Sequence, residues 1–253
     1  MDQKKLRVNS DGFALDAQAF VPHGSGIHPV LCICHGLPQG PRDPSDRGYQ
    51  MLAERYSSQG FLAVIFNFRG VGESQGNLDI KGWCRDLSAV VDHALHLPGA
   101  DPSRVNLLGF SAGAAVSIVV AANDQRITAV ASCASPAMFT FLSDEGAAHQ
   151  FVEHLRHIGL IRDPSFPISL KEWMVSWREV SPIDLVDMLS PRPLLLMHGD
   201  QDDVVSIKNA HMLFGKAGEP KELLVIPGSG HRLRFDPAAM EAVLQWLERV
   251  NRS

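Results

Sequence analysis

Apolar runs of strand length recur along this chain at residues 30–34, 61–67, 105–109, 130–133, 193–197 and 222–226, with helix-length stretches between most of them. That alternation limits the fold strongly, because parallel neighbours in a sheet need a crossover of a dozen or more residues, and a helix is the usual one. Helical patterns are read at 49–59, 83–95, 112–122, 207–214 and 237–250. Residues 112–122 are apolar on nearly every side, so a helix there must be buried. Alternation over 12–21 predicts an early strand, hairpin-like and antiparallel. The expectation is an α/β protein of one domain, residues 1–253, with a mostly parallel central sheet and helices on both faces. Only over 135–191 does the alternation fail. There two helix-like pieces, 145–158 and 170–179, flank a proline-containing linker at 163–167 and suggest a small lid-like insertion.

Composition narrows the partners. With 45% hydrophobic and 20% charged positions over 253 residues, the chain buries a large core, and its net charge of −5 gives no positive field for nucleic acid or an anionic membrane. No stretch approaches the roughly 18 apolar residues that span a bilayer. The amino terminus, Met1-Asp-Gln-Lys-Lys-Leu-Arg7, leads into mixed sequence rather than a signal-peptide core. Four cysteines do not make a disulfide framework. Cys32 and Cys34 fall on one face of their strand and read as small buried hydrophobes, not metal ligands. A reducing cytoplasm is the expected location.

Gly109-Phe110-Ser111-Ala112-Gly113 matches G-x-S-x-G and stands between a strand and a helix, the context this pattern requires. A serine on so sharp a turn needs small flanking residues, so that neighbouring backbone can approach. The helix that starts at Ala112 aims free N–H groups at any oxyanion formed above Ser111. A serine nucleophile needs a base, and the base an orienting carboxylate, in the chain order serine, acid, histidine. Both follow later strands: His198-Gly-Asp-Gln-Asp-Asp-Val-Val205 after 193–197, and Gly228-Ser-Gly-His231 after 222–226. Open α/β sheets gather ligand sites at the carboxyl ends of their strands. Of eleven histidines, only His231 follows the last strand, downstream of both other members. Three carboxylates, Asp200, Asp202 and Asp203, compete for the acid role.

Together these motifs resemble the α/β-hydrolase family over nearly all of the chain. The likeness implies an oxyanion loop at His35-Gly36-Leu37, a glycine loop at Arg69-Gly-Val-Gly-Glu-Ser74, and an HGxxDxxV acid loop that selects Asp202. A serine, Ser206, stands where that last pattern usually ends in proline. It also gives His35 and His198 loop-shaping roles, and Arg69, Glu73 and Asp86 are read as structural charges. The implied site is Ser111 as nucleophile, His231 as base and Asp202 as orienter, with backbone N–H groups of Leu37 and Ala112 as oxyanion hole. Neither metal nor cofactor is expected, because the acyl-enzyme yields to water activated by the same histidine. Phe139, Trp173 and Trp177 of the lid-like segment are expected to wall an acyl pocket. Trp173 and Trp177, four residues apart, would share one helical face.

The expected activity is a serine hydrolase cleaving carboxylic esters of small or medium acyl groups. A thioesterase or C–C bond hydrolase would use the same three residues. A peptidase of the prolyl-oligopeptidase kind shares the motifs, but such enzymes usually carry a large additional domain that 253 residues cannot house. A catalytically silent binding module is the contrasting class, since fold does not imply function. Retention of all three residues in order argues against it.

Overall fold

In the computed structural model, which describes residues 1–24, 26–40, 46–142 and 144–252, the core is one eight-stranded sheet. The chain opens with a hairpin of β1 (Asp2–Ser10) and β2 (Phe13–Val21). Then follow β3 (His28–Cys34), α1 (Gly48–Ser58), β4 (Leu62–Phe66), α2 (Ile80–Leu95), β5 (Ala100–Phe110), α3 (Ala112–Asn123) and β6 (Ile127–Cys133). Three helices, α4 (Glu145–His157), α5 (Leu170–Glu179) and α6 (Pro182–Leu185), intervene before β7 (Leu194–Gly199), α7 (Lys208–Lys216), β8 (Lys221–Ile226) and α8 (Pro237–Asn251). Strand order is β1-β2-β4-β3-β5-β6-β7-β8. Pairing is parallel from β4 to β8, while β1–β2 and β2–β4 are antiparallel. Of the polar loop over 38–46, residues 41–45 lie outside the described residues.

Two apolar clusters, one on each face, hold the sheet. One joins Leu31 and Ile33 of β3 to Leu52 and Tyr56 of α1 and Val243 and Leu247 of α8. The other joins Val30, Cys32 and Cys34 of the same strand to Leu87 and Val91 of α2 and Val116 and Val120 of α3. Successive residues of β3 thus alternate between the two cores, which is why the strand reads as an unbroken apolar run. Helix α3 is apolar all round because the sheet covers one side and α2, α6 and the turn at Val186–Leu189 cover others. Among the described residues, no helix is long and apolar enough to cross a membrane.

Two elements differ from their sequence signatures. β1 carries little pattern, since Leu6 and Val8 are its main inward apolar residues and its other side chains are charged or polar, as suits an edge strand. Asp101-Pro102, which reads in sequence as a turn ahead of the strand at 105–109, is instead a bulge within β5: Pro29 pairs with Asp101 and Val30 with Val105, leaving residues 102–104 looped out. Asp101 Oδ1 closes that loop by accepting from Ser103 N–H at 2.9 Å and from Ser103 Oγ at 2.6 Å.

The helices between β6 and β7 are fastened to the core. Arg162 donates to the carbonyls of Ser74 (2.9 Å), Gly70 (3.2 Å) and Gly72 (2.7 Å), and Leu78 N–H donates to Leu160 O at 2.8 Å. The glycine loop itself is held from below. Arg69, 4% exposed, donates from Nη2 to Asp86 Oδ1 at 2.7 Å, and its backbone N–H reaches Asp86 Oδ2 at 2.8 Å. These charges sit where a structural reading puts them.

Trp173 and Trp177 do share a face of α5, but that face is inside the protein. They pack edge to face at 5.6 Å, with Phe139, Phe141 and Phe151 around Trp177, and Trp173 Nε1 donates to Leu78 O at 3.3 Å. With exposures of 5% and 0%, they offer almost no surface to an acyl chain, which corrects the expectation that they wall a pocket. Aromatic rings bury more area against one another than against an open cleft, and packing wins. Trp177→Ala is therefore expected to cost about 3–5 kcal/mol, a fall in Tm of roughly 10 °C for a domain of this size, with the ranking of acyl chains unchanged. Thermal melts beside ester kinetics check this; a normal Tm with an altered ranking overturns it.

Candidate active site

Ser111 occupies the turn between β5 and α3 with φ 53° and ψ −124°, a left-handed conformation costly for a residue with a side chain. The two glycines of the motif explain how the turn closes. A Cβ on Gly109 would lie 2.5 Å from Ala114 Cα, and one on Gly113 only 2.7 Å from Cys34 O. The loop after β3 presses equally close, for a Cβ on Gly36 would lie 2.8 Å from Ser111 Cβ. Ala112 begins α3, so its N–H has no acceptor within the helix. Leu37 follows Gly36 directly, which brings its backbone to the same corner.

The loops after β7 and β8 supply the rest. Ser111 Oγ donates to His231 Nε2 at 3.0 Å, and His231 Nδ1–H donates to Asp202 Oδ2 at 2.8 Å. Asp200 instead accepts from Gly228 N–H at 2.7 Å, and Asp203 is exposed beside the cleft. The two loops interlock at Gly199, where a Cβ would meet Gly230 O at 2.8 Å. Asp202 has no exposed side-chain surface. Its burial favours the neutral acid, but hydrogen bonds from His198, His231 and Val205 N–H outweigh that and hold the carboxyl well below the usual range.

Ser111, His231, Asp202, Ala112 and the Gly36–Leu37 corner thus meet at the carboxyl edge of the sheet, from four separate loops. A cleft of about 690 Å³ opens beside His231, lined by Gln39, Asp203, Val204, Gly230, Arg232 and Phe235. Asp203, Val204 and Gly230 belong to the acid and histidine loops already read from the sequence, whereas Gln39, Arg232 and Phe235 lie outside any motif and were not legible there. Phe139 borders a second cleft of about 380 Å³ with Met138, Leu142 and Arg178. Among the described residues, no group of three or more His, Cys, Asp or Glu side chains is arranged to hold a metal ion.

His35 shapes its loop, in keeping with the family likeness. Its Nδ1–H donates to Gly36 O at 2.7 Å and its Nε2 accepts from Phe68 N–H at 3.1 Å. Burial pushes its pKa down to about 4, although the bond to Gly36 O opposes the shift. Between pH 6.5 and 4 the unfolded chain therefore binds a proton there that the folded chain refuses, and stability falls as pH drops through that window. The expected contribution is about 3 kcal/mol lost between pH 7 and pH 4. Urea unfolding of wild type and His35→Gln at both pH values checks it: the variant should lose less stability than wild type by that amount.

The fold and this edge define a serine hydrolase of the α/β-hydrolase class. Solved structures with the same fold include the α/β hydrolase GrgF from Penicillium sp. sh18 (TM-score 0.80, 18% identity, 100% of this chain and 99% of that one). Est1E from Butyrivibrio proteoclasticus (TM-score 0.72, 19% identity, 98% and 99%) is another. At the level of sequence, residues 48–252 match the prolyl oligopeptidase family, and the chain belongs to that family. The match runs from α1 to the end of α8 and takes in the loops that carry Ser111, Asp202 and His231. Among curated relatives, the uncharacterized protein Rv2307c of Mycobacterium tuberculosis is 28% identical over 91% of this chain and 72% of its own length. The quorum-quenching protein AidA of Acinetobacter baumannii is 30% identical over 50% of this chain and 42% of its own length.

Proposed function

We propose that the protein hydrolyses carboxylic esters of small or medium acyl groups through an acyl-enzyme on Ser111. The observation that carries this reading is the unbroken hydrogen-bond chain from Ser111 through His231 to Asp202. Ser111 Oγ attacks the carbonyl carbon while His231 Nε2 takes its proton, and Asp202 stabilises the imidazolium. The backbone N–H groups of Leu37 and Ala112 receive the oxyanion, each worth on the order of 3 kcal/mol in the transition state. His231 then gives its proton to the departing alcohol, and water attacks the acyl-enzyme by the reverse sequence. No cofactor enters these steps.

A cleft of about 690 Å³ suits a small ester, whereas Phe139, nearly as buried as Trp173, borders the second cleft and not the one beside His231. In this reading, the helices over residues 135–191 serve as a fastened cap on the single domain. The small-molecule ester is the only partner it requires. Four free thiols, three of them buried, suit a cytoplasmic setting. Family membership favours one second reading, a peptidase, in which His231 protonates a departing amine.

The test is a series of p-nitrophenyl esters of increasing chain length, run beside amide and thioester substrates. Highest kcat/KM on a short or medium ester supports the proposal. A higher value on an amide or thioester, or no turnover of any ester, overturns it.

A further inference from the structure

Asp202 is the most heavily coordinated side chain of the site. Its Oδ1 accepts from Val204 N–H at 2.9 Å and Val205 N–H at 2.8 Å, both from its own loop. Its Oδ2 faces two imidazoles: His231 Nδ1 at 2.8 Å and His198 Nε2 at 3.1 Å. His198 lies near the end of β7 with no exposed surface, paired in register with Val225 of β8. Its Nε2 also lies 2.7 Å from Val205 O. Two acceptors at one nitrogen place the proton on Nε2, whereas Nδ1 is buried with no partner among the described residues.

We infer that His198 is a positioning residue of the site: its Nε2–H, shared between Val205 O and Asp202 Oδ2, fixes the carboxylate and draws off part of the charge that Asp202 offers His231. This inference rests on Ser111, His231 and Asp202 being the catalytic residues. A loop-shaping role alone needs only the bond to Val205 O. The contact with Asp202 Oδ2 adds a second donor to the oxygen that orients His231, and a hydrogen bond to a charged acceptor in a buried setting is stronger than a neutral one. With that donor gone, Oδ2 accepts from His231 alone. The His231 Nδ1–H···Asp202 bond then tightens and the carboxylate gains freedom to rotate, so the rate falls while substrate binding does not.

His198→Leu and His198→Gln separate the two roles, because the glutamine amide nitrogen occupies nearly the place of Nε2 and still donates. In His198→Leu, kcat should drop roughly tenfold with KM within about twofold, the size of loss expected when a supporting partner of a site residue is removed. The low-field proton resonance of His231 Nδ1–H should move further downfield. In His198→Gln both should stay close to wild type. Equal impairment of the two variants, or a wild-type rate and resonance in His198→Leu, overturns the inference. If His198→Leu does not fold, His198→Asn replaces it. Its shorter amide falls short of Asp202, so a rate equal to that of His198→Gln is then the overturning result. Ser111→Ala run alongside keeps the two readings apart. Undiminished hydrolysis there removes the triad itself, whereas loss there with a normal His198→Leu removes only the role of His198.

Discussion

Ser111→Ala lowers kcat for ester hydrolysis by on the order of 10⁵-fold or more and leaves KM nearly unchanged. No other oxygen nucleophile lies within hydrogen-bond distance of His231 Nε2 among the described residues, so nothing local takes over the attack. The variant keeps its Cβ, and with it the contact to Gly36 and the turn at φ 53°. Its melting temperature should therefore match wild type, which separates lost chemistry from lost structure. A trace of rate above water remains, because the N–H groups of Leu37 and Ala112 still polarise a bound carbonyl. Stopped-flow assays measure the rate, and a fluorophosphonate probe supplies an independent reading by labelling wild type and sparing Ser111→Ala. Persistent labelling of the variant would assign the nucleophile elsewhere.

Asp202→Asn should cost up to about 10⁴-fold in kcat, and the geometry gives the reason. The two backbone donors, Val204 N–H and Val205 N–H, hold Oδ1, so an asparagine at this position keeps its carbonyl oxygen there. Its NH₂ group then faces His231 Nδ1, which must accept rather than donate. The proton moves to Nε2, and the ring can no longer take one from Ser111. Turning the amide over does not help, since the NH₂ would then meet two backbone donors. His198 Nε2, also a donor, opposes the same NH₂ group. Asp200→Asn retains an acceptor for Gly228 N–H, and Asp203 is exposed, so both variants should stay within a few-fold of wild type. Steady-state kinetics on the three substitutions decide the matter. An unaffected Asp202→Asn with a crippled Asp203→Asn would move the orienting role to the neighbour.

Several features follow from the order of residues alone. Alternating strand and helix patterns entail a largely parallel sheet, since parallel strands cannot be joined by tight turns. Gly109 and Gly113 bracket Ser111 because the steric demand of that turn is local, so it leaves its mark within five residues. Position after the last strand singles out His231 for the same topological reason that gathers sites at strand ends.

Tertiary structure decided what depends on contacts between distant segments. The HGxxDxxV likeness selects Asp202 from three aspartates, but the contact itself, Asp202 Oδ2 on His231 Nδ1 at 2.8 Å, exists only through the way the two loops fold together. Spacing put Trp173 and Trp177 on one helical face without saying whether that face met a ligand or other rings, and the surrounding phenylalanines fill it. β1 escaped because an edge strand is stabilised by its ladder to β2 rather than by a burial pattern of its own. His198 carried a loop-shaping expectation, but its reach to Asp202 depends on how residues 199–205 fold back on β7. Periodicity records which face of an element is buried; it holds no record of which side chain lies opposite.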